Sequence, residues 1–94
     1  MSKLRILVVD DEESPRESLR QILKDRYEVQ TVTDGKAALE ALRADIPHDT
    51  VLLDMMMPGM DGLETLQKIR KLAPGVPVIM VTAYAELVES SGIS

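Results

Sequence analysis

An α/β fold with a parallel sheet and helices on both faces is predicted from three features of this 94-residue chain. Short apolar runs of strand length alternate with segments of helical period along nearly the whole chain. The runs at residues 4–9 and 50–53 are almost uninterruptedly apolar, as strands buried on both faces are. Each of these two runs ends on aspartate, and in parallel sheets the carboxyl ends of the strands gather on one rim where ligands bind. Strict alternation also implies right-handed crossovers.

The elements follow in order. Leu4-Arg5-Ile6-Leu7-Val8-Val9 is the first strand and stops at Asp10-Asp11. Ser14 is expected to cap a helix over residues 15–26, with Pro15 at its first position and Glu17 completing a capping box. Leu19, Ile22 and Leu23 would form its apolar face. Glu28-Val29-Gln30-Thr31-Val32 alternates with period two, as a short outer strand does. Asp34 caps a second helix whose Ala37, Ala38, Ala41 and Leu42 suit close packing on a sheet, and Pro47 closes that segment. Thr50-Val51-Leu52-Leu53-Asp54 is the third strand. Pro58-Gly59 and Asp61-Gly62 mark the loop after it. A third helix carries Leu63, Leu66, Ile69 and Leu72 and ends at Pro74-Gly75. Val76-Pro77-Val78-Ile79-Met80-Val81 is the fourth strand, a short helix is expected over residues 84–91, and the last residues read as weakly structured.

Composition narrows the function. A single domain spanning residues 1–94 is the ceiling at this length. Cysteine is absent, which excludes disulfides and thiol-ligated metals. Sixteen acidic residues against eleven basic ones give a net charge of −5, which argues against direct nucleic-acid binding. No apolar run approaches the roughly 18 residues of a spanning helix, and no signal peptide precedes the first strand, so a soluble cytoplasmic protein without membrane contact is expected.

The strand ends carry the chemistry. Asp10 and Asp11 follow the first strand, Asp54 ends the third, and Thr82-Ala83 follows the fourth. Three carboxylates on one rim repel one another unless a cation is bound. Mg²⁺ takes one or two carboxylates plus water and phosphate oxygens, so the rim suits Mg²⁺ and, with it, a phosphoryl group. The Thr82 hydroxyl could donate to that anion, and Ala83 leaves it space. Taken singly, each feature has a plainer reading: Asp-Asp as a solvated turn, Asp61-Gly62 as a turn and cap, and Met55, Met56, Met57 and Met60 as loop or core filling rather than a soft-metal site. His48 is expected to be solvated in a loop. Lys68, Arg70 and Lys71 are expected to complement a helix terminus. Joint occurrence of acids and hydroxyl at the strand ends lifts that cluster above its plain reading.

Leu7-Val8-Val9-Asp10-Asp11-Glu12, Leu53-Asp54-Met55-Met56-Met57-Pro58-Gly59-Met60-Asp61-Gly62 and Val81-Thr82-Ala83-Tyr84 together resemble the receiver domain of bacterial two-component response regulators. The resemblance runs from about residue 4 to residue 86 and implies a flavodoxin-like doubly wound sheet of strand order 2-1-3-4. It implies that Asp54 is the phosphoacceptor for a sensor histidine kinase, forming an aspartyl phosphate. It implies further that Asp11 binds Mg²⁺ directly, Asp10 through water, and Met56 through its backbone carbonyl. Thr82 would swing toward the phosphoryl group, and Pro58 and Gly59 would shape the loop.

Against this pattern the 94 residues are expected to be incomplete at the C-terminus, without a fifth strand and its helix and without the lysine and the switching aromatic that the fifth strand normally brings. No lysine or arginine follows Lys71. Phosphorylated with Mg²⁺ bound, the site would carry about −2 rather than about −1, a difference of up to about 4 kcal/mol for one pair at 4 Å and an effective dielectric of about 20. Mg²⁺ binding needs only Asp10, Asp11, Asp54 and a carbonyl. The fourth strand would form an open apolar edge, which predicts self-association through that edge or by exchange of C-terminal elements. Two functions are therefore expected: a Mg²⁺-dependent phosphoacceptor, or a receiver-like interaction or dimerisation module, or engineered fragment, that takes no phosphate. An enzyme in its own right is not expected, since there is no phosphate-binding glycine loop and no second catalytic base.

Overall fold

The computed structural model describes residues 3–44, 47–54 and 62–81. Four strands, β1 (Arg5–Val9), β2 (Glu28–Val32), β3 (Thr50–Asp54) and β4 (Val78–Val81), form one sheet. All pairings are parallel and the order is β2-β1-β3-β4, as in flavodoxin-like folds. Helices α1 (Glu13–Leu23), α2 (Gly35–Arg43) and α3 (Gly62–Leu72) supply the crossovers. Fourth-strand pairing begins at Val78 rather than Val76. Pro77 has no amide to donate, though its carbonyl accepts from Val51 at 3.0 Å.

Strand alternation divides the core between the two faces. Leu7, Val9, Val51 and Leu53 point toward α2 and α3 and pack with Ala38, Ala41 and Ile69 into one buried cluster. The small side chains of Ala38 and Ala41 let α2 lie close to the sheet, as their pattern predicts. Ile6 and Val8 occupy the opposite face and are buried as well. Val78 and Met80 join the α2/α3 cluster, while Ile79 on the other side of β4 is 54% exposed. No helix among the described residues is long and apolar enough to cross a membrane.

Three local expectations need correction. First, α1 begins at Glu13, not Pro15, and ends at Leu23. Ser14 is not its cap, and the residue before the helix, Glu12, makes no side-chain capping bond. Glu17 turns instead to Arg20 and Gln21, whose hydrogen bonds hold its carboxyl down to about 2. Pro15 is tolerated at the third helical position because the first four amides of a helix have no intrahelical partner. Second, the apolar faces are rotated from the simplest stripe. Ile22 is 73% exposed and Leu63 55% exposed, whereas Thr65 is fully buried beside Ile69. Asp34 does cap α2 as expected, accepting the Ala37 amide at 2.7 Å. Third, His48 is buried rather than solvated. Its Nε2 lies 2.8 Å from the Gln30 side-chain oxygen, and its Nδ1 has no partner among the described residues. The expected helix over residues 84–91 lies outside the described residues.

The burial of His48 has a consequence for stability. Desolvation, and next the nearby Arg5 charge, push its imidazole below the ordinary 6.5, with Asp49 opposing. The folded state therefore prefers the neutral ring. Its contribution to stability is present above pH 6.5 and is lost as pH falls through the lowered folded-state value. His48 is the only histidine, so its ring resonances can be followed by NMR without assignment. Titration below 6.5, with an unfolding midpoint that drops between about pH 7 and pH 5, is expected; His48→Gln should flatten that part of the curve. A ring that titrates at or above 6.5 contradicts the burial argument.

Candidate functional site

The β1 and β3 strands are in register at Val9 and Leu53, which places Asp10 and Asp54 level at the carboxyl rim. Asp10 sits between β1 and α1, and only 6% of it is exposed. Its amide donates to the Val32 carbonyl at 3.1 Å, extending the ladder to β2 by one residue. Its side-chain Oδ1 accepts the Glu12 amide at 2.9 Å, turning the chain into α1. Arg16, in the first turns of that helix, donates to the Asp10 carbonyl oxygen at 2.9 Å. Sequence reading did not single out Arg16. Its six-residue spacing from Asp10 places it above the strand end once α1 is known to start at Glu13.

Carboxylate oxygens of Asp10, Asp11 and Asp54 all lie within 4.8 Å of one another. Burial raises the Asp10 carboxyl above its ordinary 3.8. The Glu12 amide pulls it down, while the charge of Asp54, a hydrogen-bonding contact with Asp54 and the charge of Asp11 push it further up. Two unit charges 4.8 Å apart repel by about 3.5 kcal/mol at an effective dielectric of about 20, less where water enters the rim. A cation removes that repulsion. The donors are all oxygen, with no imidazole or thiolate among them, so the chemistry suits a hard cation such as Mg²⁺. The cluster could therefore hold a metal, as the sequence predicted from the strand-end acids.

Thr82, Ala83, Met56, Pro58 and Gly59, also singled out in the sequence, lie outside the described residues.

Residues 6–91 match the family model of the response regulator receiver domain. The chain belongs to that family. Among curated relatives, the response regulator MprA of Mycolicibacterium vanbaalenii is 44% identical over 81 residues, covering 85% of this chain and 35% of MprA. This receiver domain thus spans about a third of the length of such relatives. Among solved structures, the response regulator TrrA of Thermotoga maritima, in complex with Mg²⁺-BeF, superposes with a TM-score of 0.78 at 39% identity, covering 97% of this chain and 81% of that one. TrrA in complex with the histidine kinase ThkA gives a TM-score of 0.78 at 43% identity, covering 86% and 70%. The receiver fold, its strand order and its place in two-component signalling follow from these matches together with the sheet topology.

Proposed function

We propose that this receiver domain accepts a phosphoryl group on Asp54 from a histidine kinase, in a Mg²⁺-dependent reaction. The observation that carries the reading is the convergence of Asp10, Asp11 and Asp54 within 4.8 Å at the end of two parallel strands. A carboxylate oxygen of Asp54 attacks phosphorus of the phosphohistidine. The new P–O bond forms as the P–N bond breaks, and the imidazole nitrogen leaves with the electron pair. Asp10, Asp11, Asp54 and the Met56 backbone carbonyl would hold Mg²⁺. Bound there, Mg²⁺ offsets the negative charge that gathers on the phosphoryl oxygens. The Thr82 hydroxyl donates a hydrogen bond to the transferred group, and Ala83 leaves room for it. Arg16 and the Glu12 amide keep the Asp10 backbone and carboxyl fixed, so that the acids need not reorganise on metal binding. The domain works in the cytoplasm, supporting its own phosphotransfer and dephosphorylation without being an enzyme acting on a separate substrate. TrrA, similar to this chain, is known both with Mg²⁺-BeF and with a histidine kinase, which supports the metal and the partner class.

The test is incubation with a small phosphodonor and Mg²⁺, followed by intact mass. Expected is a gain of one phosphoryl group that disappears in Asp54→Asn and in excess chelator. No adduct under any condition, or one that survives Asp54→Asn, overturns the reading.

A second reading concerns association. Among the described residues β4 is the outermost strand on its side of the sheet, and its Ile79 is exposed. An apolar outer strand with unpaired backbone groups pairs readily with another chain. The 94-residue chain is proposed to self-associate through this edge. Light scattering at micromolar concentration should give a mass above 10.4 kDa, reduced by Ile79→Lys. A monomer throughout ends this reading and leaves the phosphoacceptor untouched.

A further inference from the structure

The α2 and α3 helices lie side by side on one face of the sheet, and both run back against the parallel strands. Their C-termini therefore share the end of the molecule opposite the acid cluster. Between them lies an open groove of about 310 Å³ lined by Leu39 and Arg43 of α2 and by Lys68, Lys71 and Leu72 of α3. Each helix contributes residues about one turn apart, so the lining is one continuous strip of apolar floor and cationic rim. No carboxylate of the described residues lines it.

The plain account of these cations is that they offset the negative ends of the two helices. The cations that line the groove exceed what the two helix ends require. Three positive charges line the groove, and Glu64 neutralises one by pairing with Lys68 at 3.4 Å. The two helix C-termini contribute about −0.5 each, which leaves about +1 among the described lining residues. This excess stands in a chain whose net charge is −5. Arg43 and Lys71 form no ion pair among the described residues.

We propose that the α2/α3 groove docks an acidic amphipathic peptide segment of a partner protein. An apolar side chain of the partner rests on Leu39 and Leu72 while flanking carboxylates meet Arg43 and Lys71. The apolar floor selects a peptide over a free anion, which would gain nothing from the leucines. It also selects against nucleic acid. A long polyanion extends beyond one Debye length of about 8 Å and meets the repulsion of the whole acidic chain, and the groove offers no aromatic ring for a base to stack on. A short acidic segment meets only the local positive field.

The probe is a synthetic helical peptide with leucines at i and i+4 flanked by glutamates, titrated into the ¹⁵N-labelled chain. A control peptide carries glutamine in place of each glutamate. Expected are amide shifts confined to α2 and α3, an affinity that falls as salt is raised, and a loss of tenfold or more in the double variant Arg43→Glu, Lys71→Glu. Both positions lie on the groove rim away from the core, and an unchanged circular dichroism spectrum and melting midpoint will verify the fold. Absence of shifts, equal affinity for the glutamine peptide, or equal affinity in the double variant overturns the proposal. So does tighter binding of a DNA duplex at the same amides. Concentration-dependent shifts there without peptide would assign the groove to a second copy of the chain and equally overturn it. None of these outcomes depends on phosphorylation of Asp54, so the two readings stand or fall separately.

Discussion

Asp10→Asn, unfolded in excess chelator, is expected to melt about 5–10 °C above the parent chain. Asp10 is nearly buried and shares its rim with two other carboxylates within 4.8 Å. Its raised pKa means that the folded state prefers the neutral carboxyl. Stability from that preference is present below the ordinary 3.8 and is lost as pH rises through the folded-state value, so at neutral pH the ionised side chain is a cost. Asparagine has the same shape, keeps an oxygen for the Glu12 amide and removes the charge. Relief of one repulsive pair, discounted for water at the rim, is worth about 1–2 kcal/mol. Addition of Mg²⁺ should reverse the ranking. A ligand that binds only the folded state at about a hundred times its Kd adds about 2.7 kcal/mol, and the parent chain gains this while the variant gains much less. Scanning calorimetry with and without Mg²⁺ reads both effects. A variant that melts lower than the parent in chelator contradicts the repulsion argument, and one that gains equally from Mg²⁺ contradicts a metal-binding role for Asp10.

The second large effect belongs to Ile69. It is fully buried where α3 meets the sheet, in the cluster that includes Leu7, Val51 and Leu53. Truncation to alanine loses the transfer energy of the removed carbons and leaves a cavity beneath α3, together about 3–4 kcal/mol. For a chain of this length total stability is about 5–14 kcal/mol, so Ile69→Ala should cost a large share of it. Leu63, six residues earlier in the same helix, is 55% exposed, and Leu63→Ala should change stability by less than about 0.5 kcal/mol. Urea unfolding of the two variants separates them directly. Similar losses at both positions would mean that α3 is rotated from the orientation described.

That contrast also marks the limit of sequence periodicity. Leu63, Leu66, Ile69 and Leu72 form one stripe at helical spacing, and the stripe correctly locates the helix. It does not say which edge of the stripe meets the sheet. In the structure α3 also packs against α2, and its buried arc runs through Gly62, Thr65 and Ile69. The start of α1 shows a related limit. Ser14 and Glu17 have the spacing of a capping box, yet Glu17 has a competing partner in Arg20 one turn later, and a charge-assisted bond between side chains prevails. His48 is the clearest miss. Beside Pro47, in a polar stretch, it has every local mark of a solvated loop residue. Only the neighbouring strands, with the Gln30 side chain reaching its ring and Arg5 nearby, make it a buried group.

By itself the sequence determined the alternation of strands and helices, the Asp34 cap, and the acids that end the first and third strands. These depend on short-range physics: β-branched runs, helical spacing, and the preference of ligands for the carboxyl ends of parallel strands. Tertiary structure decided what depends on register and approach. Pairing of Val9 with Leu53 brings Asp10 level with Asp54, and the side-by-side packing of α2 and α3 turns separate basic residues into one cationic groove. Charge interactions weaken with distance and dielectric, so the same aspartates and lysines have little mutual energy in an extended chain. They acquire it when folding sets them a few ångströms apart.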